Sequence, residues 1–431
     1  MLSAFASAFR TPDLRKKLLF TLGIIALFRL GSVVPTPGVD YKNIQLCINA
    51  VQDNSIYGLI NLFSGGALLQ LSVFALGIMP YITASIIIQL LTVVIPRLES
   101  LRQEGQAGQA ILTQYTRYLT IALAVLQSTG IIALARVPGR LFQGCNESLL
   151  HNNSVMLTLT MIFTMTAGTG VIMWLGENIT DRGVGNGMSL LIFTSIIATF
   201  PGQLWQITTI NGPFALVLTL IVGVAIIAGV VYVEQAQRRI PVQYAKRMVG
   251  RRMYGGTSTY IPLKVNMAGV IPVIFASSLL YVPQLIVQLS GSQSGWAQWI
   301  STNLQRGDQP AYIILYAVLI IFFTYFYVAI TFNPVEVADN MKQYGGFVPG
   351  IRAGKPTAEY LDYVLTRITL PGSIYLAIIA IIPFIAFAFI GVQQRFIFGG
   401  TSLLIMVGVG LDTVKQIESQ LQQRNYEGFL R

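Results

Sequence analysis

The stretch Gly-Ile-Met-Pro-Tyr-Ile-Thr-Ala-Ser, residues 77–85, decides the fold, because its pattern returns as Gly-Val-Ile-Pro-Val-Ile-Phe-Ala-Ser at residues 269–277. A second pair follows in the same order, with Gly-Met-Ser-Leu-Leu-Ile at residues 187–192 and Gly-Thr-Ser-Leu-Leu-Ile at residues 400–405. Either match alone is as easily explained by chance in an apolar sequence. Two matches in the same order favour an internal repeat.

The segments around these stretches are long and almost free of charge. Hydrophobic residues make up 54% of the 431 residues and charged residues only 10%, whereas about a quarter of a soluble domain is charged. A soluble fold is therefore excluded, and the predicted fold class is all-α, a polytopic membrane protein. A helix needs about 20 apolar residues to cross a bilayer. Ten transmembrane helices are predicted, at residues 18–34, 72–95, 118–135, 155–175, 188–200, 214–233, 268–289, 311–332, 368–390 and 403–411.

Ten spans containing a repeat divide into two halves of five, which we place at residues 1–205 and 206–431. Because five is odd, the halves insert in opposite directions, and the Gly- and Pro-interrupted segments of such inverted repeats mark the functional interface. Spans two, five, seven and ten should therefore surround a pathway. Most Lys and Arg residues fall in the loops on one side, which the positive-inside rule assigns to the cytosol together with both termini.

One apolar stretch, residues 56–71, does not fit as a crossing helix, because Ser64-Gly65-Gly66 interrupts it and the second span follows directly. It is predicted to be a re-entrant half-helix. Such backbone is tolerated at membrane depth only where it is buried in protein or lines a water-filled cavity. Arg29, near the outer end of the first span, is expected to extend its long side chain to the membrane surface.

The repeated segments carry apolar residues at equivalent positions, with two more one turn away. They are Ile82, Ile192, Ile274 and Ile405, with Ile78 and Met188. Ion-coupled transporters generally place ionisable groups at such positions, whereas an apolar constriction can seal by excluding water. We therefore predict a hydrophobic seal, with a secondary transporter built on inverted repeats as the alternative.

The sequence predicts no catalytic chemistry, cofactor or metal site. It has no Gly-x-x-x-x-Gly-Lys phosphate loop, and two cysteines with one histidine are too few for a Cys/His metal site. Cys47 and Cys145 both fall in predicted external loops. They either form a disulfide or remain free thiols, and pairing requires Cα atoms within about 7 Å.

At these residues the sequence resembles the SecY/Sec61-alpha family, whose bacterial members form the channel of the Sec protein translocon. The matching motifs run along nearly the whole chain: Pro35-Thr-Pro-Gly38, Phe63-Ser-Gly-Gly66, Gly77-Ile-Met-Pro-Tyr81, Gln114-Tyr-Thr-Arg117, Gly183-Val-Gly-Asn-Gly187, Arg251-Arg252, residues 262–272, Asn333-Pro334, Val348-Pro-Gly-Ile-Arg352 and Gly399-Gly-Thr-Ser402. The resemblance implies a channel that passes unfolded polypeptides across the bacterial plasma membrane and releases hydrophobic segments sideways into lipid through a lateral gate.

The resemblance also implies roles for particular residues. The six apolar residues above would form the ring of an hourglass pore, although Met188 departs from the isoleucine common there. Residues 57–70, with Phe63, Ser64, Gly65 and Gly66, would form a plug. Spans two and seven, with three and eight behind them, would form the lateral gate. Polar residues on or beside these helices, which interhelical hydrogen bonding also explains, are Thr83, Gln89, Gln127, Asn266, Ser277 and Ser278.

The implied partners include two small subunits, SecE and SecG, together with signal peptides, nascent chains and membrane lipid. The cytosolic loops at residues 235–265 and 333–366 would dock the ribosome and the motor ATPase SecA. Topology alone explains any single lysine there. The expected docking residues are Arg251, Arg252 and Arg352, because an arginine fork suits RNA phosphates.

Overall fold

The computed structural model describes residues 9, 11–50, 64–137, 145, 147–151, 154–244, 247–249, 252–254, 258–290, 295–304, 309–390 and 400–427. These residues are mostly helical, as predicted. The helices are α1 (Pro12–Val33), α2 (Tyr41–Ala50), α3 (Met79–Val94), α4 (Pro96–Gln103), α5 (Gln106–Ala135), α6 (Val155–Arg182), α7 (Gly187–Gln235), α8 (Ile271–Ser290), α9 (Gly295–Asn303), α10 (Pro310–Thr331), α11 (Pro334–Gln343), α12 (Lys355–Ile390) and α13 (Gly400–Glu427).

Several of these helices are long and apolar enough to cross a membrane. Within the described part of the chain there are six such segments, or seven if α3 and α4, bent by 100°, count as one broken span. The six are Gln106–Ala135, Val155–Arg182, Gly187–Thr209, Gly212–Gln235, Pro310–Gln343 and Lys355–Ile382. The polytopic character is confirmed, and the number of ten crossings stays a prediction.

The second predicted span was wrong at its start. It was expected from residue 72, but the helix begins at Met79, and residues 72–78 form turns. Gly77 has a φ of 56°, a left-handed conformation that ends regular structure. At the other end Ile95 is extended before Pro96, because a residue preceding proline is disfavoured in the helical conformation. The chain therefore bends between α3 and α4.

The fifth predicted span ended at residue 200, but the helix runs from Gly187 to Thr209 and the chain breaks at Gly212, where φ is 81° and ψ is 171°. The helix starts at Gly187 because the Asn186 side-chain oxygen accepts hydrogen bonds from the N–H groups of Met188 and Ser189, at 3.1 and 3.3 Å. Such N-caps satisfy donors that have no partner inside the helix.

The helices pack in an order that brings the repeated segments together. α5 packs on α3 and α6, α10 packs on α8 and α12, and α13 packs on α7. α8 lies against both α3 and α5. Arg117 of α5 makes a two-pronged ion pair with Glu177 of α6, with both N···O distances at 2.8 Å. This geometry fixes the two helices together more specifically than a single contact would.

The loops predicted at residues 235–265 and 333–366 contain strands, which the all-α prediction did not include, and the second loop also contains α11 and the start of α12. β1 (Gln237–Tyr244) pairs with β4 (Ser258–Lys264) along seven residues and with β5 (Gly346–Phe347) on its other edge, and all pairs are antiparallel. Arg247–Val249 and Arg252–Tyr254 form a separate hairpin of β2 and β3. Buried residues join the loops: Ile240, Val242, Leu263, Met341 and Val348. The two loops are therefore one folded unit.

Cys47 and Cys145 form a disulfide, with Cα atoms 5.4 Å apart. It links α2 to the segment after α5, and the surrounding cluster includes Ile44, Leu149 and Leu150. The structure therefore selects the paired alternative.

We expect the denatured protein to react with a maleimide at two sites only after reduction, because both cysteines are paired. Cys47→Ser with Cys145→Ser should lower the free energy of unfolding by about 2–4 kcal/mol, the usual effect of removing such a cross-link. Mass spectrometry with and without reductant checks the first expectation and thermal unfolding in detergent the second. Labelling before reduction would contradict the pairing.

Candidate functional site

The structure brings the six predicted ring residues into one apolar cluster. Four are buried, with exposed fractions of 2%, 5%, 6% and 1% for Ile78, Ile192, Ile274 and Ile405. Ile82 and Met188 are partly buried and pack against the same cluster. These side chains come from α3 and the turn before it, from α7, α8 and α13. Helices from both predicted halves thus meet at this cluster.

Two glycines allow the α7 end of the cluster to form: Gly187, which begins the repeated stretch, and Gly176, which no sequence motif marked. A Cβ atom on Gly187 would lie 1.9 Å from the Gly176 carbonyl oxygen, so α6 and α7 approach through bare backbone. A Cβ atom on Gly176 would lie 2.5 Å from Met188 Sδ, so Met188 packs where that atom would be. A pattern of local residues carries no signal for such a contact between helices.

Residues 64–78 lie beside the cluster as a series of turns, and Ala67 belongs to the cluster itself. A half-helix was expected at 57–70; Ser64 is helical and residues 65–70 after it form turns. The cause is the backbone, since Gly65 and Gly66 have φ values of 66° and 93° and Leu71 has 43°. Phe63 and the earlier part of the predicted plug lie outside the described residues.

Hydrogen bonds hold this irregular segment at both ends. The Ser64 hydroxyl oxygen accepts from the Leu68 N–H at 3.1 Å. Thr36 donates both its backbone N–H and its hydroxyl to the carbonyl of Leu71. The Val73 N–H donates to the Val34 carbonyl at 2.9 Å. Backbone polar groups in a membrane must be satisfied internally, and these bonds do so.

Arg29 corrects another expectation, because its side chain does not simply extend to a membrane surface. Its Nη1 donates a hydrogen bond to the Gly65 carbonyl oxygen at 2.9 Å, and the contact is partly buried. An arginine inside an apolar span is costly and normally finds a partner. That rule predicts that Arg29 has a partner but does not say which one. The partner is a backbone atom 36 residues away, which local sequence cannot identify.

The predicted lateral-gate residues do not hydrogen-bond to one another across the gate. The Thr83 and Ser277 hydroxyls donate to carbonyls of their own segments, each at 2.9 Å. The Asn266 amide donates to Glu234 of α7 at 2.6 Å and to the Gly269 carbonyl at 3.1 Å. Three further residues complete the set: Ser278 is partly buried, and its buried hydroxyl oxygen has no hydrogen-bond partner among the described residues, whereas Gln89 is exposed and Gln127 is partly buried.

The buried contact between α3 and α8 at the predicted gate is apolar. Ile86 of α3 shares a buried cluster with Phe275 and Leu280 of α8 and with Phe323 of α10. Phe275 and Phe323 meet edge to face, with ring centroids 5.6 Å apart. The interhelical hydrogen bonding expected for the polar residues is therefore replaced by side-chain packing.

Two of the three predicted docking arginines, Arg252 and Arg352, belong to the described part of the folded loop unit. Arg352 is exposed in the turn that follows β5. Arg252 begins β3, and Arg251 lies outside the described residues. The Thr357 hydroxyl donates to the Arg352 carbonyl at 2.7 Å, which fixes the backbone of this turn and leaves the guanidinium exposed.

A family model of SecY matches residues 72–414. The chain belongs to the SecY family. The SecY protein translocase subunit of Streptomyces scabiei is 67% identical, and that of Mycobacterium tuberculosis is 61% identical, each alignment covering 100% of both chains. Family membership and the apolar helices together make this a multi-pass membrane protein of the SecY type.

Solved structures show that the SecY fold is shared. One described as a protein conducting channel has a TM-score of 0.64 at 18% identity and covers 94% of this chain and 91% of its own. A SecY structure described by a plug domain that stabilises the closed state and maintains a membrane seal has a TM-score of 0.63 at 20% identity, with the same coverage. Sec61 in a canine ribosome-channel complex has a TM-score of 0.61 at 18% identity, again with that coverage.

Gly65 and Gly66 offer a matched pair of substitutions. Both have positive φ, so alanine strains the backbone at either position. Only at Gly65 would the new Cβ meet neighbours, 2.9 Å from Arg29 Nη1 and 3.1 Å from Ser195 Cα, while at Gly66 nothing lies within 4 Å. We expect Gly65→Ala to displace the segment more than Gly66→Ala.

The measurement uses Ser64→Cys, which adds a single free thiol because both natural cysteines are paired. Ser64 is only 1% exposed, so a membrane-impermeant maleimide should label it slowly. Labelling should be faster with Gly65→Ala than with Gly66→Ala. Equal rates in the two variants would contradict the packing described for this segment.

Proposed function

We propose that this chain is the channel subunit of the bacterial Sec translocase. It passes unfolded polypeptides across the plasma membrane and releases hydrophobic segments sideways into lipid. The observation that carries this proposal is the single apolar cluster, to which α3, α7, α8 and α13 all contribute. The names of its relatives, which are protein translocase subunits at 61–67% identity, support the same function.

The cluster would work as a seal because of how water behaves in a narrow apolar pore. Such a constriction stays dry, and ions do not cross it without water. A passing chain would part the isoleucine side chains, which would close around it whatever its sequence. The partly buried Met188 suits the same task, since a methionine side chain adapts to irregular shapes.

The apolar gate contact supports sideways release. Separating Ile86 from Phe275 in a bilayer exposes apolar side chains to lipid tails that are equally apolar, so no hydrophobic driving force opposes opening. Nor does separation break hydrogen bonds of Thr83 or Ser277, because both donate within their own segments. We therefore propose that α3 and α8, with α5 and α10 behind them, form the lateral gate.

The folded loop unit is the proposed docking surface. The sheet built from both loops supports the turn after β5, in which Arg352 is exposed. Arginine pairs well with phosphate, and one relative of this fold was solved in a ribosome-channel complex. We propose the ribosome and SecA as partners of this surface, and SecE and SecG as further subunits.

We further propose that both termini face the cytosol and that the halves at residues 1–205 and 206–431 insert in opposite directions. The chain would carry out no chemistry of its own. SecA, the ribosome or the proton-motive force would then supply the driving force for movement.

The alternative, a secondary transporter, lacks support among the described residues. An ion-coupled site requires ionisable groups inside the membrane. Among the described residues, no Asp, Glu, Lys or Arg side chain is fully buried, and the partly buried Glu177 and Glu234 are already held by Arg117 and Asn266. The partly buried Arg29 donates to a backbone carbonyl rather than facing a carboxylate.

Shortening the ring tests the proposed seal. In purified channels in planar bilayers, Ile82, Ile192, Ile274 and Ile405 changed together to Ala should conduct small ions at rest, because a wider pore fills with water. The matched control changes four exposed isoleucines to Ala, namely Ile197, Ile221, Ile314 and Ile378. It should stay as silent as the unchanged protein. A folded ring variant without resting conductance would rule out these residues as the seal.

A further inference from the structure

Arg29 has two hydrogen-bond partners, one for its guanidinium and one for its backbone carbonyl, and neither partner is charged. Its Nη1 donates to the Gly65 carbonyl oxygen at 2.9 Å, and its own carbonyl accepts from the Ser32 hydroxyl at 2.7 Å. The three ion pairs found among the described residues do not include it. The guanidinium on α1 is therefore tied to the turn segment at residues 64–78 and to no carboxylate in the described chain.

The position of Gly65 is fixed from the opposite side as well. A Cβ atom there would lie 3.1 Å from Ser195 Cα on α7, so the glycine backbone fits between α1 and α7. Ala67, two residues on, belongs to the cluster that contains Ile192 and Ile405. The Arg29 contact thus lies two residues from the point where the segment joins the cluster that contains the proposed ring.

We propose that Arg29 is a positioning residue that latches this segment in the resting channel, an inference that rests on the proposed function. An intramembrane arginine without a partner is costly, and a hydrogen bond from a charged donor is stronger than one between neutral groups. Displacing the segment leaves the guanidinium without the Gly65 carbonyl. That cost favours return of the segment after each passing chain.

The latch contact has a charged donor, unlike the hydrogen bonds that tie the segment to the end of α1. Ser64, Thr36 and Val34 bond to it through neutral groups. Because the acceptor is a backbone carbonyl, substitution can remove only the donor, or displace the acceptor sterically through Gly65→Ala. These two routes to the same contact make the latch testable.

The test uses the full-length chain in liposomes, with Ser64→Cys as the reporter thiol. Arg29→Met keeps a long side chain but removes the donor, and maleimide labelling should be about ten- to a hundredfold faster, the loss expected for one hydrogen bond to a charged group. Arg29→Lys, which keeps a charged donor, should fall between. Resting ion conductance should rise in the same order.

Arg102→Met is the matched control, because Arg102 also donates to a backbone carbonyl, that of Ile330 at 2.6 Å. It lies away from the segment and should leave the labelling rate unchanged. Unchanged labelling in Arg29→Met, or equal acceleration by Arg102→Met, would overturn the latch.

If Arg29→Met folds poorly, the double variant Arg29→Lys with Gly65→Ala is used instead. If both changes act on one contact, the double variant should be labelled no faster than Gly65→Ala alone. A labelling rate increased by the product of the two single effects would contradict the latch.

The latch and the proposed function fail in different ways. A ring-shortened channel that leaks, together with an Arg29→Met channel that behaves as unchanged, would remove the latch and leave the channel function. A silent ring-shortened channel would remove the proposed seal whatever Arg29 does.

Discussion

A channel through the hydrocarbon core of a membrane must close again after each chain has passed, when nothing else fills the pore. Contact between apolar side chains in the middle of the protein can close it. Ile78, Ile192, Ile274 and Ile405 are buried against one another although their positions in the chain are far apart. Their contact requires that α7, α8 and α13 converge on the turn before α3. The close approach of α6 and α7 at Gly176 and Gly187 serves this convergence.

The same constraint explains the irregular backbone at residues 64–78. A series of turns can occupy the space beside the cluster without crossing the membrane. Turns expose polar groups that lipid cannot satisfy. Thr36, Val34 and Arg29 provide the partners, and all three lie on or just after α1. The end of α1 and this segment therefore form one structural unit.

Sequence reasoning located the cluster because Gly and Pro mark equivalent positions in the repeated stretches, and those marks align Ile82 with Ile274 and Ile192 with Ile405. It missed features that depend on contacts between distant residues. The strands β1, β4 and β5 pair across separate loops. Asn266 bonds to Glu234 rather than across the gate. Arg29 was assigned to a surface because its partner, a backbone carbonyl, leaves no mark in the sequence.

Photo-crosslinking from the ring to a stalled polypeptide tests most directly that this cluster is the constriction through which chains pass. A photoreactive residue at Ile192, which is 5% exposed, is compared with one at Ile197 on the same helix, which is 42% exposed. At 3.6 residues per turn the two side chains lie about 140° apart around α7. The account predicts crosslinks to the stalled chain from position 192 and none from position 197. Crosslinks from position 197 alone, or from both equally, would contradict it.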